Sequence, residues 1–155
     1  MRLVLFTLAG ARYGVSADDV VEIVRAVAVT PLAGAPAVVE GLIDVRGSVV
    51  PVFDMRARLG LPSRAVDPAD HFVLVQTPSR VAALHVERVD ELVEVDERQT
   101  TDARAQVPST EHIAGVATLD DGMVFIHDVE TFLSRAESES LSAAIDAQTA
   151  ERATV

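Results

Sequence analysis

The groups able to do chemistry in this 155-residue chain are 24 carboxylates, four histidines and 13 basic residues, all of the last being arginine. Their spacing decides which chemistry is open to them. His71, His85, His112 and His127 lie far apart, with no pair at the spacing of a metal centre, which needs three or four converging ligands. The absence of cysteine removes disulfides, zinc thiolate sites and thiol nucleophiles together. Serine, histidine and aspartate are all present, but no G-x-S-x-G elbow presents a nucleophile. No P-loop or G-x-G-x-x-G turn offers a phosphate cradle. Between Glu87 and Asp96 the acids alternate with Val89, Leu92, Val93 and Val95, the pattern of a half-exposed strand. The remaining enzymatic reading is a hydrolase drawing on Asp120, Asp121 or Glu91, without a nucleophile or metal to work with. No cofactor is expected, and recognition of another protein is the better account of the chain.

A formal charge of −11 opposes binding to nucleic acid or anionic lipid, both of which require cationic patches. No apolar run approaches the roughly 18 residues of a membrane span. Met1–Phe6 is too short for the apolar core of a signal peptide. A soluble cytoplasmic protein is the expectation.

The elements that must position any binding residues are mostly strands. Leu3–Leu8, Arg12–Val15, Gly41–Val45, Ser48–Phe53, His71–Thr77, Arg80–Val86, His112–Leu119 and Met123–His127 are short, rich in valine and isoleucine, and bounded by turn residues. Ala9-Gly10, Arg46-Gly47 and Asp120-Asp121-Gly122 read as hairpin turns. Asp54 and Asp128 stand where they can cap short helices over Met55–Leu59 and Val129–Leu133. Ser134 and Glu137 have capping-box spacing before a final helix, expected to fray beyond about Ala147.

The chain also repeats itself. Val39–Leu59 superposes without gaps on Ile113–Leu133, displaced by 74 positions, bringing Gly41 onto Gly115, Val50 onto Val124, Asp54 onto Asp128 and Leu59 onto Leu133. Upstream, Val20–Val24 matches Val89–Val93, and Phe6 and Arg12 are paired with Phe72 and Arg80. A β unit of about 60 residues used twice is the expectation. Positions alike in both copies are read as structural, and positions that differ as specialised. The sharpest contrast is Arg46-Gly47 against Asp120-Asp121, a guanidinium at one tip and carboxylates at the other.

Gly41-Leu42-Ile43-Asp44-Val45-Arg46-Gly47, followed by Val50-Pro51-Val52-Phe53-Asp54, resembles the signature of the CheW family of chemotaxis adaptors. The opening Phe6-Thr7-Leu8 with Tyr13-Gly14-Val15, the stretch Val20–Ile23 and the later Ile113-Ala114-Gly115 agree with it. The resemblance implies a mainly β fold of two SH3-like five-stranded barrels with short helices and a C-terminal helix returning to the first barrel. It implies one domain over about residues 1–135, with barrels at about 10–62 and 70–130 and a shared N-terminal strand, then a helix and tail over 136–155.

The resemblance further implies a non-enzymatic adaptor, monomeric alone and ring-forming in arrays, joining the cytoplasmic hairpin tip of a chemoreceptor to the regulatory domain of the kinase CheA. Arg46 corresponds to the family's receptor-facing arginine and Glu22 to its acidic neighbour, with Val20, Gly41 and Ile43 lining the groove between the barrels; core packing is an equally good account of Val20 and Ile43. Leu32, Pro36 and Val38 correspond to a kinase-facing patch. Asp44 stands where the family usually has asparagine, which adds a negative charge beside Arg46. The same adaptor in a twitching, surface-sensing or developmental pathway is the alternative.

Overall fold

The computed structural model describes residues 1–101 and 113–153. His112 and most of the Arg98–Thr110 stretch lie outside the described residues. The strands are β1 (Arg2–Leu8), β2 (Ala11–Ser16), β3 (Val20–Arg25), β4 (Val39–Val45), β5 (Ser48–Phe53), β6 (His71–Gln76), β7 (Val81–Val86), β8 (Arg88–Glu94), β9 (Thr100–Thr101), β10 (Ile113–Leu119) and β11 (Gly122–His127). Helix α1 covers Met55–Arg58 and α2 Arg135–Ala153. The segment expected to be helical at Val129–Leu133 is a single 3-10 turn, Val129–Thr131. Helix α2 runs past the expected fraying point at Ala147.

Two sheets form, in the orders β3-β6-β7-β5-β4 and β8-β1-β2-β11-β10-β9. Each curls toward closure through the segment that follows its edge strand. Thr30, beyond β3, exchanges backbone bonds of 2.9 and 2.8 Å with Leu42 of β4, and Thr101, beyond β8, pairs with Val116 of β10. We call the sheet that carries β4–β5 the first barrel and the one that carries β10–β11 the second.

The repeat is present in the fold, and its halves are exchanged. Replacing β1, β2, β3, β4 and β5 by β6, β7, β8, β10 and β11 converts one strand order into the other. The hairpin β1–β2 therefore sits in the second barrel and β6–β7 in the first, so neither barrel is a continuous stretch of chain. The division at about 10–62 and 70–130 does not describe the sheets. Glycine-linked register shifts recur at Val39/Gly41 and Ile113/Gly115, which upholds the displacement of 74. Upstream, pairings such as Leu5 with Glu91 and Leu74 with Glu22 fix the displacement at 69. Phe6 thus corresponds to Val75 and Arg12 to Val81, and the Phe6–Phe72 and Arg12–Arg80 pairings are out of register.

This exchange explains why β1, β6 and β7 read as continuous apolar runs. A strand covered on both faces loses the polar alternation of a half-exposed one. Leu3 and Leu5 point into the second barrel, while Val4, Phe6 and Leu8 enter the core between the barrels. Phe72 and Leu74 point into the first barrel, while Val73 and Val75 meet that same shared core. Helix α2 adds Leu141 and Ala144 to it. The caps form as their spacing predicts: Ala57 N donates to Asp54 Oδ1 (3.1 Å), Glu130 N to Asp128 Oδ1 (3.0 Å), and Ser134 and Glu137 bond each other's backbone N–H reciprocally. A fork from Arg58 Nη2 to both oxygens of Glu137, 2.7 Å each, ties α2 to α1 at the end of the first barrel.

Candidate functional site

The tip of the β4–β5 hairpin is a two-residue turn between Val45 and Ser48. Arg46 and Gly47 both take positive φ, 51° and 87°, the turn whose twist suits a hairpin. Asparagine or glycine normally occupies the first of these places, and an arginine there is uncommon. Asp44 holds the turn, since its Oδ1 accepts from Gly47 N at 2.8 Å. Asparagine would offer the same oxygen, so aspartate leaves the turn intact and changes only the charge at its base.

From this tip Arg46 reaches β3. Its Nη1 donates to Glu22 Oε1 at 2.8 Å and its Nη2 to Oε2, the two-pronged geometry that only a guanidinium supplies to a carboxylate. The fork holds the Glu22 carboxyl below the ordinary carboxylate range and pushes the guanidinium further up. Arg46 stays 73% exposed while Glu22 is 30% exposed, so the carboxylate orients the cation without covering it.

The other expected receptor-side residues divide by burial. Val20 is half-buried against the shared core. Ile43 is 3% exposed and fills the first barrel, and Gly41 is buried as well. A Cβ at Gly41 would lie 2.2 Å from the Thr30 carbonyl oxygen, at the contact that closes the barrel. Gly41 therefore shapes the wall from inside, while Ile43, although buried, also borders a small surface cleft with Thr30, Asp44 and Val49. On the kinase side Leu32 is 8% exposed and packs in one cluster with Leu141 and Ala144, so it faces inward. Pro36 and Val38 remain half-buried, their carbonyls accepting Val39 N (2.9 Å) and Asp54 N (2.7 Å).

Sequence reasoning passed over exposed apolar side chains on the strands that carry the fork and its turn. Val21 and Ile23 precede and follow Glu22 on β3 and so project from the opposite face of the strand, and Val49 stands opposite Asp44 on β5, all exposed. The signal was present in Val20–Val24, where both alternate faces are apolar although β3 is an edge strand. Leu92 and Met123, the counterparts of Ile23 and Val49 in the second barrel, are exposed as well.

Among the described residues no cluster of acids and histidines could hold a metal, and no helix is long and apolar enough to cross a membrane. The comparisons agree with an adaptor. The CheW-like domain family matches residues 2–137. A chemotaxis protein CheW of Rhizobium meliloti is 30% identical over 142 residues, covering 89% of this chain and 90% of the relative. Chemotaxis protein CheW of Klebsiella aerogenes is 27% identical over 135 residues, 86% and 81% of the two chains. Protein FrzA of Myxococcus xanthus is 31% identical over 84 residues, 54% and 52%. The crystal structure of the scaffolding protein TtCheW of Thermoanaerobacter tengcongensis superposes with a TM-score of 0.79 at 29% identity, covering 88% of this chain and 94% of that one.

Proposed function

The chain belongs to the CheW-like domain family, whose members are non-enzymatic chemotaxis adaptors, and from that premise we propose that Arg46 is where it grips a chemoreceptor. The observation that carries the assignment is the fork to Glu22, which presents an exposed guanidinium in a fixed direction from a left-handed turn. The receptor partner is the cytoplasmic hairpin tip, a pair of helices able to offer a carboxylate or carbonyl to Arg46. The regulatory domain of CheA binds elsewhere on the first barrel, at the segment bearing Pro36 and Val38, with Leu32 supporting it from beneath. The adaptor acts in the cytoplasm, recruited to receptor arrays at the inner face of the membrane.

The test is co-sedimentation of purified protein with receptor-bearing membranes and kinase. Arg46→Asp should lose receptor-dependent sedimentation and kinase activation while keeping its melting temperature. Normal sedimentation by that variant would remove Arg46 from the interface. A second reading places the same adaptor in twitching, surface sensing or development. It is kept because FrzA, one of the similar relatives, is not named for chemotaxis. Co-purification of the cognate receptor separates the two pathways.

A further inference from the structure

One end of the first barrel is closed by charge, not hydrocarbon. Phe72 and Leu74 of β6 and Ala83 of β7 face its interior, and by the same alternation Asp70 and His85 fall at the end of those rows. The His85 ring lies between two carboxylates, with Nδ1 2.7 Å from Glu40 Oε1 and Nε2 2.7 Å from Asp70 Oδ2. His85 is 5% exposed and Asp70 3%, and the Phe72 ring meets the imidazole at right angles.

A neutral imidazole has a single N–H and one bare lone pair. It could satisfy one of these carboxylates but would turn its lone pair on the other, at a distance that requires a shared proton. Asp70 is poorly placed to carry that proton, because Arg64 Nη2 (2.8 Å) and Asp67 N (2.9 Å) already donate to its two oxygens. The ring is left as the proton holder. Burial pushes His85 toward the neutral form, but Glu40 and Asp70 outweigh burial and leave its pKa above the ordinary 6.5. For Asp70 burial acts upward, and Arg64, Asp67 and His85 together bring its carboxyl below the ordinary 3.8. Glu87, 4.0 Å from Arg64 and bonded to Arg56, is the next charge outward. β6 presents the uncharged Phe72 to the ring.

The cluster ties together separate parts of the chain. Glu40 belongs to β4, Arg64 and Asp67 to the connection between α1 and β6, and the Asp70 carbonyl accepts Ala26 N (2.9 Å) just past the end of β3. Among the described residues the second barrel has nothing comparable. Under the displacements of 69 and 74, His85, Asp70 and Glu40 correspond to Ser16, Met1 and Ala114, and those three residues line one open cleft of about 400 Å³.

We propose that His85, doubly protonated between Glu40 and Asp70, is a proton-operated clamp that fastens the α1–β6 connection and the end of β3 to the start of β4, and that it opens as pH rises. Glu40 stands two residues beyond Val38, so opening loosens the segment assigned above to the kinase; that consequence rests on the kinase assignment, whereas the clamp does not.

The sign follows from the raised histidine pKa. The clamp's contribution is complete below the ordinary histidine value and is lost as pH rises through the higher folded-state value. NMR titration of the His85 ring in the full chain should give a midpoint above 6.5, and the melting temperature should fall with rising pH across that midpoint. Glu40→Gln, which keeps the shape of its side chain, should lower the His85 midpoint. His85→Gln should flatten the melting temperature across the same window. A His85 midpoint at or below the ordinary value, or an unchanged one in Glu40→Gln, overturns the clamp. So does a melting profile of His85→Gln that keeps the wild-type slope. None of these measurements involves receptor or kinase, so a failed clamp is distinguishable from a failed adaptor assignment.

Discussion

The two hairpin tips stand at equivalent places on the two barrels and solve one electrostatic problem with opposite geometry. In each barrel a glutamate of the edge strand, Glu22 or Glu91, faces the tip of the opposite hairpin. The first barrel neutralises Glu22 from the tip with Arg46. The second has Asp120 and Asp121 at its tip and supplies the cation from strand β2, where Arg12 lies 2.8 Å from Asp121 and 3.5 Å from Glu91. The first barrel has Val81 at the position of Arg12, so the arginine has in effect changed walls. Arg12 is 23% exposed against 73% for Arg46. A cation on a strand is absorbed by its own barrel, and one on a tip is displayed to a partner.

The comparison breaks most visibly if the charges are exchanged. Arg46→Asp combined with Asp120→Arg keeps the net charge and moves the guanidinium to the second tip. Receptor co-sedimentation should remain depressed by on the order of tenfold or more, as at the centre of a protein interface. Recovery to wild-type levels would show that the barrel bearing the arginine is immaterial. The next effect is on stability. Gly41→Ala drives a Cβ into the Thr30 carbonyl where the first barrel closes, and chemical denaturation should report a loss of about 2 kcal/mol or more. A loss under about 0.5 kcal/mol would mean that the Thr30–Leu42 bridge yields easily.

Helix α2 packs on the shared core but is tied by charge to α1 at the end of the first barrel, so cutting that tie should be felt there. Arg58→Ala removes a charge-assisted fork between half-buried partners and should cost about 1.5–3 kcal/mol, with faster amide exchange in α2 and β5 and little change in β10–β11. Equal acceleration in both barrels would show that α2 stabilises the molecule as a whole. The smallest effect concerns the second tip. Arg12 bonds Asp121 and holds its carboxyl below the ordinary 3.8. Arg12→Ala should let that value rise and leave receptor sedimentation unchanged. The depressed carboxyl contributes above its ordinary value and loses that contribution as pH falls through the folded one, so the variant should melt with a shallower acid dependence. Loss of receptor sedimentation in Arg12→Ala would put both tips in the interface.

Legibility in the sequence followed the range of the interaction. Caps at Asp54, Asp128 and Ser134 formed as read, because a cap is a bond between residues two or three apart. The β4–β5 and β10–β11 repeats were read in register because a continuous match carries its own alignment. Phe6 and Phe72 misled because both are large and apolar while they serve different faces, the shared core and the barrel interior. Leu32 and Gly41 looked like surface candidates since nothing local tells a residue lining a groove from one packed beneath it. The His85 cluster left no trace, as Glu40, Arg64, Asp70 and His85 meet only when β4, β6 and β7 assemble.

The sequence by itself determined most strands, the turns and the duplication, which rest on residue type and pattern along the chain, and through its resemblance it indicated the family and the pairing of Arg46 with an acidic neighbour. Only the tertiary structure decided that the two repeats trade hairpins, which makes β1, β6 and β7 buried on both faces and builds one core from two barrels. It also decided which arginine is displayed and which is absorbed, and where a histidine must keep its proton. Strand partners are chosen by long-range burial, and a pattern read along the chain records how much of a strand is covered but not what covers it.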